Sequence, residues 1–385
     1  MPKRKGMSMH RSVSDVAIIG GGLHGCAAAF FLARAGKRVT VIEKNLAGRH
    51  ASGVNAGGLR SLMRDIRAYS LSRRAMEIWG NLPDFIGPAL AEPCQVRLGV
   101  GQVAVALDAA EMEWAQTRVR DMQAEGIDTE EVIGPSDLRN LLPGVTRSAL
   151  GGLISRGDGH ANPARSARAF RLAAEAAGAR VVEGCRVYGL VPVPSGGWRI
   201  ETDAEPLEAG QVLNCAGAWG ADVAALLGEA LPLKAAALSL MVTARVKPFV
   251  QPVVVGINRP LSFKQTAVGS LVIGGGVIGK ACPDRDTSFT VMERMARSAA
   301  MTVEAFPVLK EVPIVRTWTG LEGITPDDLP IIGQSSLHDG IWHVFGFCGE
   351  GFQLAPAVGE AVAQSIVDAD VDPRLAPFAP NRFTA

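Results

Sequence analysis

The sequence predicts an α/β protein of two domains, and three observations carry the prediction. Asp15 to Lys44 reads as a strand, a glycine turn, an Ala-rich helix and a second strand ending at Glu43. The chain has 385 residues, more than one simple core usually holds. Two stretches interrupt the α/β pattern: 91–147, short strands followed by helices that look like an insertion, and 226–322, strand-rich from Leu231 to Gly276. A Rossmann-like domain built from 15–90, 148–225 and 323–385, with a discontinuous β-sheet domain from the other two stretches, accounts for all three. Residues 1–14 are basic and read as a disordered lead-in.

In the first unit Gly20, Gly22 and Gly25 fit G-x-G-x-x-G directly after a buried strand and at the mouth of a helix. Gly20 allows the tight turn, Gly22 lets backbone N–H groups approach a pyrophosphate, and Gly25 lets helix and strand pack closely. The helix N-terminus, with Leu23 and His24, adds unpaired donors and partial positive charge. Glu43, followed by Lys44, suits a free ribose hydroxyl and would repel a 2′-phosphate. FAD or NAD is therefore favoured over NADP.

Composition narrows the class. Hydrophobic residues make up 48% of the chain and the formal net charge is +1, so no nucleic-acid surface is indicated. The six cysteines show no C-x-x-C or framework spacing; they read as reduced intracellular thiols, and an iron–sulfur centre would belong to a partner. No apolar h-region or bilayer-length stretch is present, which places the protein in the cytoplasm. The histidines form no close H-x-x-x-H, and His338 and His343 read as structural, so no metal is expected. No G-x-S-x-G supports a hydrolase triad.

After Glu43 comes a loop of small residues carrying Ser52, Asn55, Ala56, Gly57, Gly58 and Leu59, suited to lying along a second part of the ligand. Asp65 to Ile86 reads as a core helix, Pro93 to Leu107 as short strands, Glu111 to Glu125 as helix, and Pro135 opens another. Asn162 and Pro163 form an N-cap and first-turn pair after a turn carrying His160, which could face a ligand but, as a turn histidine, is more readily read as solvated or satisfied locally. Arg180 to Thr202, including Val187, reads as strands joined by a hairpin. Gln211 to Gly220 is a buried strand running into Ala216, Gly217 and Trp219, where an open α/β sheet places its ligand. A second match at Gly274, Gly276 and Gly279 is rejected, because Lys280-Ala-Cys-Pro follows instead of a helix. Thr287 is expected to cap a helix running to Phe306. Near the end, Gly346 to Leu354 brings a strand to a Gly-rich helix entry, so that N–H groups of Gly349, Gly351, Phe352 and Gln353 can face a ligand carbonyl.

Ile18-Ile-Gly-Gly-Gly-Leu-His-Gly, Ser52-Gly-Val-Asn-Ala-Gly-Gly-Leu, Asn214-Cys-Ala-Gly-Ala-Trp, Thr325-Pro-Asp-Asp-Leu-Pro-Ile-Ile-Gly and Gly346-Phe-Cys-Gly-Glu-Gly-Phe-Gln-Leu, in this order, resemble the FAD-dependent D-amino-acid oxidase, glycine oxidase and sarcosine oxidase superfamily. Gly320-Leu-Glu-Gly-Ile-Thr-Pro-Asp looks most like β-type subunits of multi-subunit proline or hydroxyproline dehydrogenases and opine oxidases. The resemblance implies hydride transfer from an amino-acid C–N bond to FAD, leaving an imine, with possible partner subunits carrying other redox centres.

Two departures from the family matter. Glu322 stands where glycine oxidase-like members carry an arginine for the substrate carboxylate, so the anchor must be Arg60, Arg64 or Arg316, or else Glu322 matches a cationic or secondary amine. Val272 is placed where monomeric sarcosine oxidases use a lysine to activate oxygen, which implies a dehydrogenase with another acceptor. The cysteine that attaches flavin in those enzymes falls at Gly320, implying noncovalent FAD. A noncatalytic or electron-relaying FAD subunit and a pyridine-nucleotide-linked flavoenzyme are the alternatives.

Overall fold

The computed structural model describes residues 13–383. The lead-in thus lies outside the described residues, except that Val13 and Ser14 open the first strand by pairing with Glu208 and Ala209. That strand, Val13–Ile19, sits at the centre of an eight-stranded sheet, flanked by Val39–Glu43 on one side and Leu207–Asn214 on the other. Both pairings are parallel, so Ile19, Ile42 and Asn214 end side by side at one edge. Leu207–Asn214 divides its outer edge between two neighbours. Leu207 to Ala209 pairs antiparallel with the hairpin strand Trp198–Thr202, and Val212 to Asn214 pairs parallel with Ile341–Phe345.

Helix Leu23–Arg34 packs between this sheet and the closing helix Gly351–Asp368. Its Ala27, Ala28 and Ala29 are almost wholly buried, and a Cβ at Gly359 would stand 2.7 Å from the Ala27 Cβ. Small side chains on both helices are what permit this approach.

The second sheet also has eight strands, in the order Ile314–Ile324, Lys234–Thr243, Leu271–Gly274, Ser262–Gln265, Val253–Gly256, Gln102–Ala106, Gly151–Ser155, Glu131–Ile133. Two distant chain segments meet at one parallel junction, Val253–Gly256 beside Gln102–Ala106. The sheet extends past two of the expected domain limits. Gly151–Ser155 pairs with Gln102–Ala106, so this segment runs to Ser155 rather than ending at 147, and Ile314–Ile324 runs unbroken through 322.

Two local expectations are corrected. Asp65 to Ile86 is not one helix but a 3-10 turn, Tyr69–Gly80 and Leu82–Ile86, interrupted at Gly80-Asn81-Leu82-Pro83, where glycine and proline both disfavour a continuous helix. Thr287 caps no helix; Thr287–Phe289 is a strand paired with Lys280–Cys282, and the helix is Met292–Ala305. Thr-Ser-Phe-Thr-Val favours the extended state, and the first acidic residue of the helix is Glu293. The second glycine run has no helix behind it: Gly275 and Gly276 turn with φ of +103° and +76° into Lys280–Cys282. Among the described residues no helix is long and apolar enough to cross a membrane.

Candidate active site

A cavity of about 660 Å³ lies between the two sheets, walled by the first-sheet strand ends, the loop 44–60, the second sheet and the start of the closing helix. Its nucleotide end is made of backbone. Gly20 has φ +110°, and a Cβ there would stand 2.3 Å from the Cys215 carbonyl oxygen. A Cβ on Gly25 would stand 2.1 Å from the Gly20 oxygen. Two loops and a helix therefore touch main chain to main chain, which only glycine allows. Glu43 braces this turn: its carboxylate accepts from Gly21 N at 2.8 Å and from Asn45 N at 2.7 Å.

Gly22 is the N-cap and offers no side chain, so the cap comes from elsewhere; Ser52 Oγ accepts from Leu23 N at 2.9 Å. Asn55 spends its side chain on its own loop, accepting from Gly57 N at 2.7 Å and donating to the Ala51 and Ser52 carbonyls. Asn214 shapes the opposite turn: it donates to the Gly220 carbonyl at 2.8 Å and to His343 Nδ1 at 3.1 Å, and accepts from Ala216 N at 3.2 Å. His343 in turn donates to Glu229 at 2.9 Å, a structural role. His24 lies on the cavity wall with its ring stacked 3.7 Å from Phe347. Its Nε2 is buried without a partner, and burial pushes its pKa down to about 3, keeping the ring neutral.

The other end is built from charged side chains. Glu322 accepts from Gly349 N at 2.5 Å, and burial raises its pKa to about 7. Lys264, on Ser262–Gln265, donates to the Ala161 carbonyl at 3.1 Å, and burial lowers its pKa to about 8. Glu350 sits between the guanidiniums of Arg60 and Arg64. Arg64 is buried and also donates to Gln353 Oε1 at 2.9 Å and to the Arg60 carbonyl at 2.9 Å.

Of the residues singled out in the sequence, Gly20, Gly22, Leu23, His24, Glu43, Lys44, Ser52, Asn55, Ala56, Gly57, Gly58, Arg60, Val187, Ala216, Gly217, Trp219, Gly320, Glu322, Gly346, Gly349, Gly351 and Phe352 lie on the cavity wall. Three do not. Arg316 is exposed, six residues from Glu322 on one strand and thus about 20 Å along it. Leu59 points into the core, since strand alternation gives the cavity to Gly58 and Arg60. Gln353 is turned away, holding Arg64 and donating to the Ser72 carbonyl at 2.8 Å. His160 has no place on the wall.

Lys264 is a residue the sequence reading missed: it lines the cavity, whereas Val272, its partner across the strand pair, does not. The available signal was a lysine inside an otherwise buried strand, Ser-Phe-Lys-Gln, where a cation needs a reason to be. Glu350 was missed too, lying within a motif read only for its backbone.

The cradle fits a dinucleotide, on the glycine clearances and the partnerless His24 Nε2. Residues 15–365 match the FAD dependent oxidoreductase family. The chain belongs to that family. This FAD-dependent oxidoreductase is 26% identical over 380 residues to the β-subunit of sarcosine oxidase from Rhizobium meliloti (strain 1021), with 96% of this chain and 88% of that protein covered. It is 25% identical over 380 residues to the B-type subunit of opine oxidase from Agrobacterium tumefaciens (strain Ach5), covering 96% and 98%. Its fold matches L-proline dehydrogenase from P. horikoshii with a TM-score of 0.88 at 25% identity, covering 97% and 98%. Glycine oxidase from Geobacillus kaustophilus shares the fold, with a TM-score of 0.85 at 23% identity over 96% and 99%. The oxidoreductase is thus similar to flavoenzymes named for the oxidation of sarcosine, opines and glycine.

Proposed function

We propose that this flavoprotein oxidises the C–N bond of an N-substituted amino acid, of the sarcosine, proline or opine kind, to the imine. The observation that carries the reading is that Arg60, Glu322 and Lys264 all line the cavity that begins at the nucleotide cradle. Relatives named for sarcosine, dimethylglycine and opines favour secondary and tertiary amines over primary ones. Bound FAD supplies the two-electron acceptor.

The remaining work falls to the protein. Arg60 and Arg64 share a single carboxylate, Glu350, which leaves one positive charge for the carboxylate of the substrate. With a pKa of about 7, Glu322 can take the proton of a substrate ammonium, so that the amine presents its lone pair. Lys264, cationic below about pH 8 and little hydrated, stabilises negative charge developing on dioxygen. Its place on the cavity wall supports an oxidase over a dehydrogenase with another acceptor.

Noncovalent attachment is supported at Gly320, where a Cβ would stand 2.1 Å from Val54 Cγ2 and leaves a cysteine no room. Assembly with partner subunits is proposed from the names of the β-type relatives.

The test is anaerobic reduction of the yellow protein by sarcosine, D- and L-proline, hydroxyproline, glycine and an opine set, with NADH as control. Bleaching by a secondary amino acid and not by NADH is the expected result. Bleaching by NADH alone would overturn the reading in favour of a pyridine-nucleotide-linked enzyme, and no bleaching by any donor would leave an electron-relaying subunit.

A further inference from the structure

The hairpin formed by Lys280–Cys282 and Thr287–Phe289 hangs from the second sheet, yet its turn lies against the nucleotide domain. At its tip Asp286 holds φ +51°, left-handed backbone that L side chains seldom adopt. The carboxylate gains three partners there. It pairs with Lys44, accepts from Arg186 Nη2 at 2.9 Å and from Asn45 Nδ2 at 3.4 Å. Lys44 and Asp286 are 242 residues apart in sequence and both mostly shielded from solvent.

These partners are parts of the cofactor site. Lys44 directly follows Glu43, and Lys44, Arg186 and Trp219 all line the large cavity. Lys44 Nζ also sits 3.2 Å over the centre of the Trp219 ring. Trp219 in turn donates its indole N–H to the Pro283 carbonyl of the hairpin turn, at 3.1 Å. The far side of the hairpin is fixed to its own domain by Ser288 and Thr319, whose hydroxyls are 2.5 Å apart. One short hairpin therefore spans both domains at the nucleotide end of the cavity.

We infer that this hairpin is a cofactor-retaining clasp, in which Asp286, carried by the second sheet, ties Lys44 and Arg186 across the nucleotide half of the site so that FAD leaves only when that contact opens. The contact is charge-assisted and three-sided, worth more than an exposed ion pair. Asp286 is a positioning residue: it acts on the cofactor through Lys44 and Trp219. The inference rests on the FAD cradle and is independent of which amine is oxidised.

The test is the rate of FAD release from the holoprotein, followed by the regain of free-flavin fluorescence after dilution. D286N keeps the shape and removes the charge, and should speed release about tenfold or more. K44M should act in the same direction, and the D286N/K44M double variant should be no faster than the faster single one. Trypsin cleavage at Arg285 gives a second readout on unaltered protein: bound FAD should slow it. Release at the wild-type rate in D286N, or strictly additive effects, would overturn the clasp. If D286N does not fold, equal cleavage at Arg285 with and without FAD would overturn it just as firmly. A protein that binds no FAD at all would instead refute the cofactor reading.

Discussion

The two ends of the cavity are built on opposite principles. At the nucleotide end main chain meets main chain, with Gly20, Gly25 and the Cys215 carbonyl in contact and with Glu43 and Ser52 accepting from the N–H groups of the turn and helix start. At the other end Glu322, Lys264, Glu350, Arg60 and Arg64 put charge into partly or wholly buried positions, and the pKa values of Glu322 and Lys264 are moved towards neutrality. A backbone-built site binds by shape and leaves no room for a methyl group. A charge-built site tolerates isosteric replacement but loses its chemistry, because it holds groups that the fold alone would be more stable without.

Four substitutions probe that contrast, in descending order of effect. Gly25→Ala drives a Cβ into the Gly20 carbonyl, which is itself packed, and should cost about 3 kcal/mol or more and leave no bound flavin; a yellow, stable variant would break the contrast at its strongest point. Lys264→Met should slow reoxidation by dioxygen by about 10²–10³ while leaving anaerobic reduction within a few-fold, read by stopped-flow absorbance. In the wild type the same step should slow as pH rises through about 8, where the lysine loses its charge.

Glu322→Gln should remove the rise of substrate reduction through pH 7 yet stabilise the fold. A carboxyl whose folded pKa is raised from 4.5 to about 7 gives stability that is fully present below pH 4.5 and lost as pH rises through 7. The glutamine escapes that loss, so its advantage in thermal melts should grow over this window to at most about 3 kcal/mol and vanish below it. Equal melting at pH 5 and pH 8 relative to wild type would show that Glu322 titrates normally. The smallest effect belongs to Ser52→Ala, which removes the cap on Leu23 and should cost about 1 kcal/mol with a matching loss of FAD affinity.

What was legible follows from range. The first βαβ unit, the capped helix Pro163–Ala176 with Asn162 accepting from Arg165 N, and the hairpin Val187–Thr202 are set by neighbours along the chain, and all appear in the structure. Positions on long antiparallel strands were less legible. Arg316 and Glu322 share a strand and a face parity, but only the strand's placement shows that one reaches the cavity and the other its distant, exposed end. Lys264 stands opposite Val272 across a strand pair, and only the placement of that pair against the cradle shows that the lysine faces the cavity.

The sequence by itself determined the nucleotide cradle, because its glycine turn, the Gly25 clearance against Gly20 and the Ser52 cap on Leu23 are written within about thirty residues of one another, and only the Gly20 contact with Cys215 comes from elsewhere. Only the tertiary structure decided which charges meet. Lys264 beneath Gly57, Glu322 on Gly349 N, and Asp286 on Lys44 each join residues from separate strands or domains, and strand register sets those meetings, not local preference.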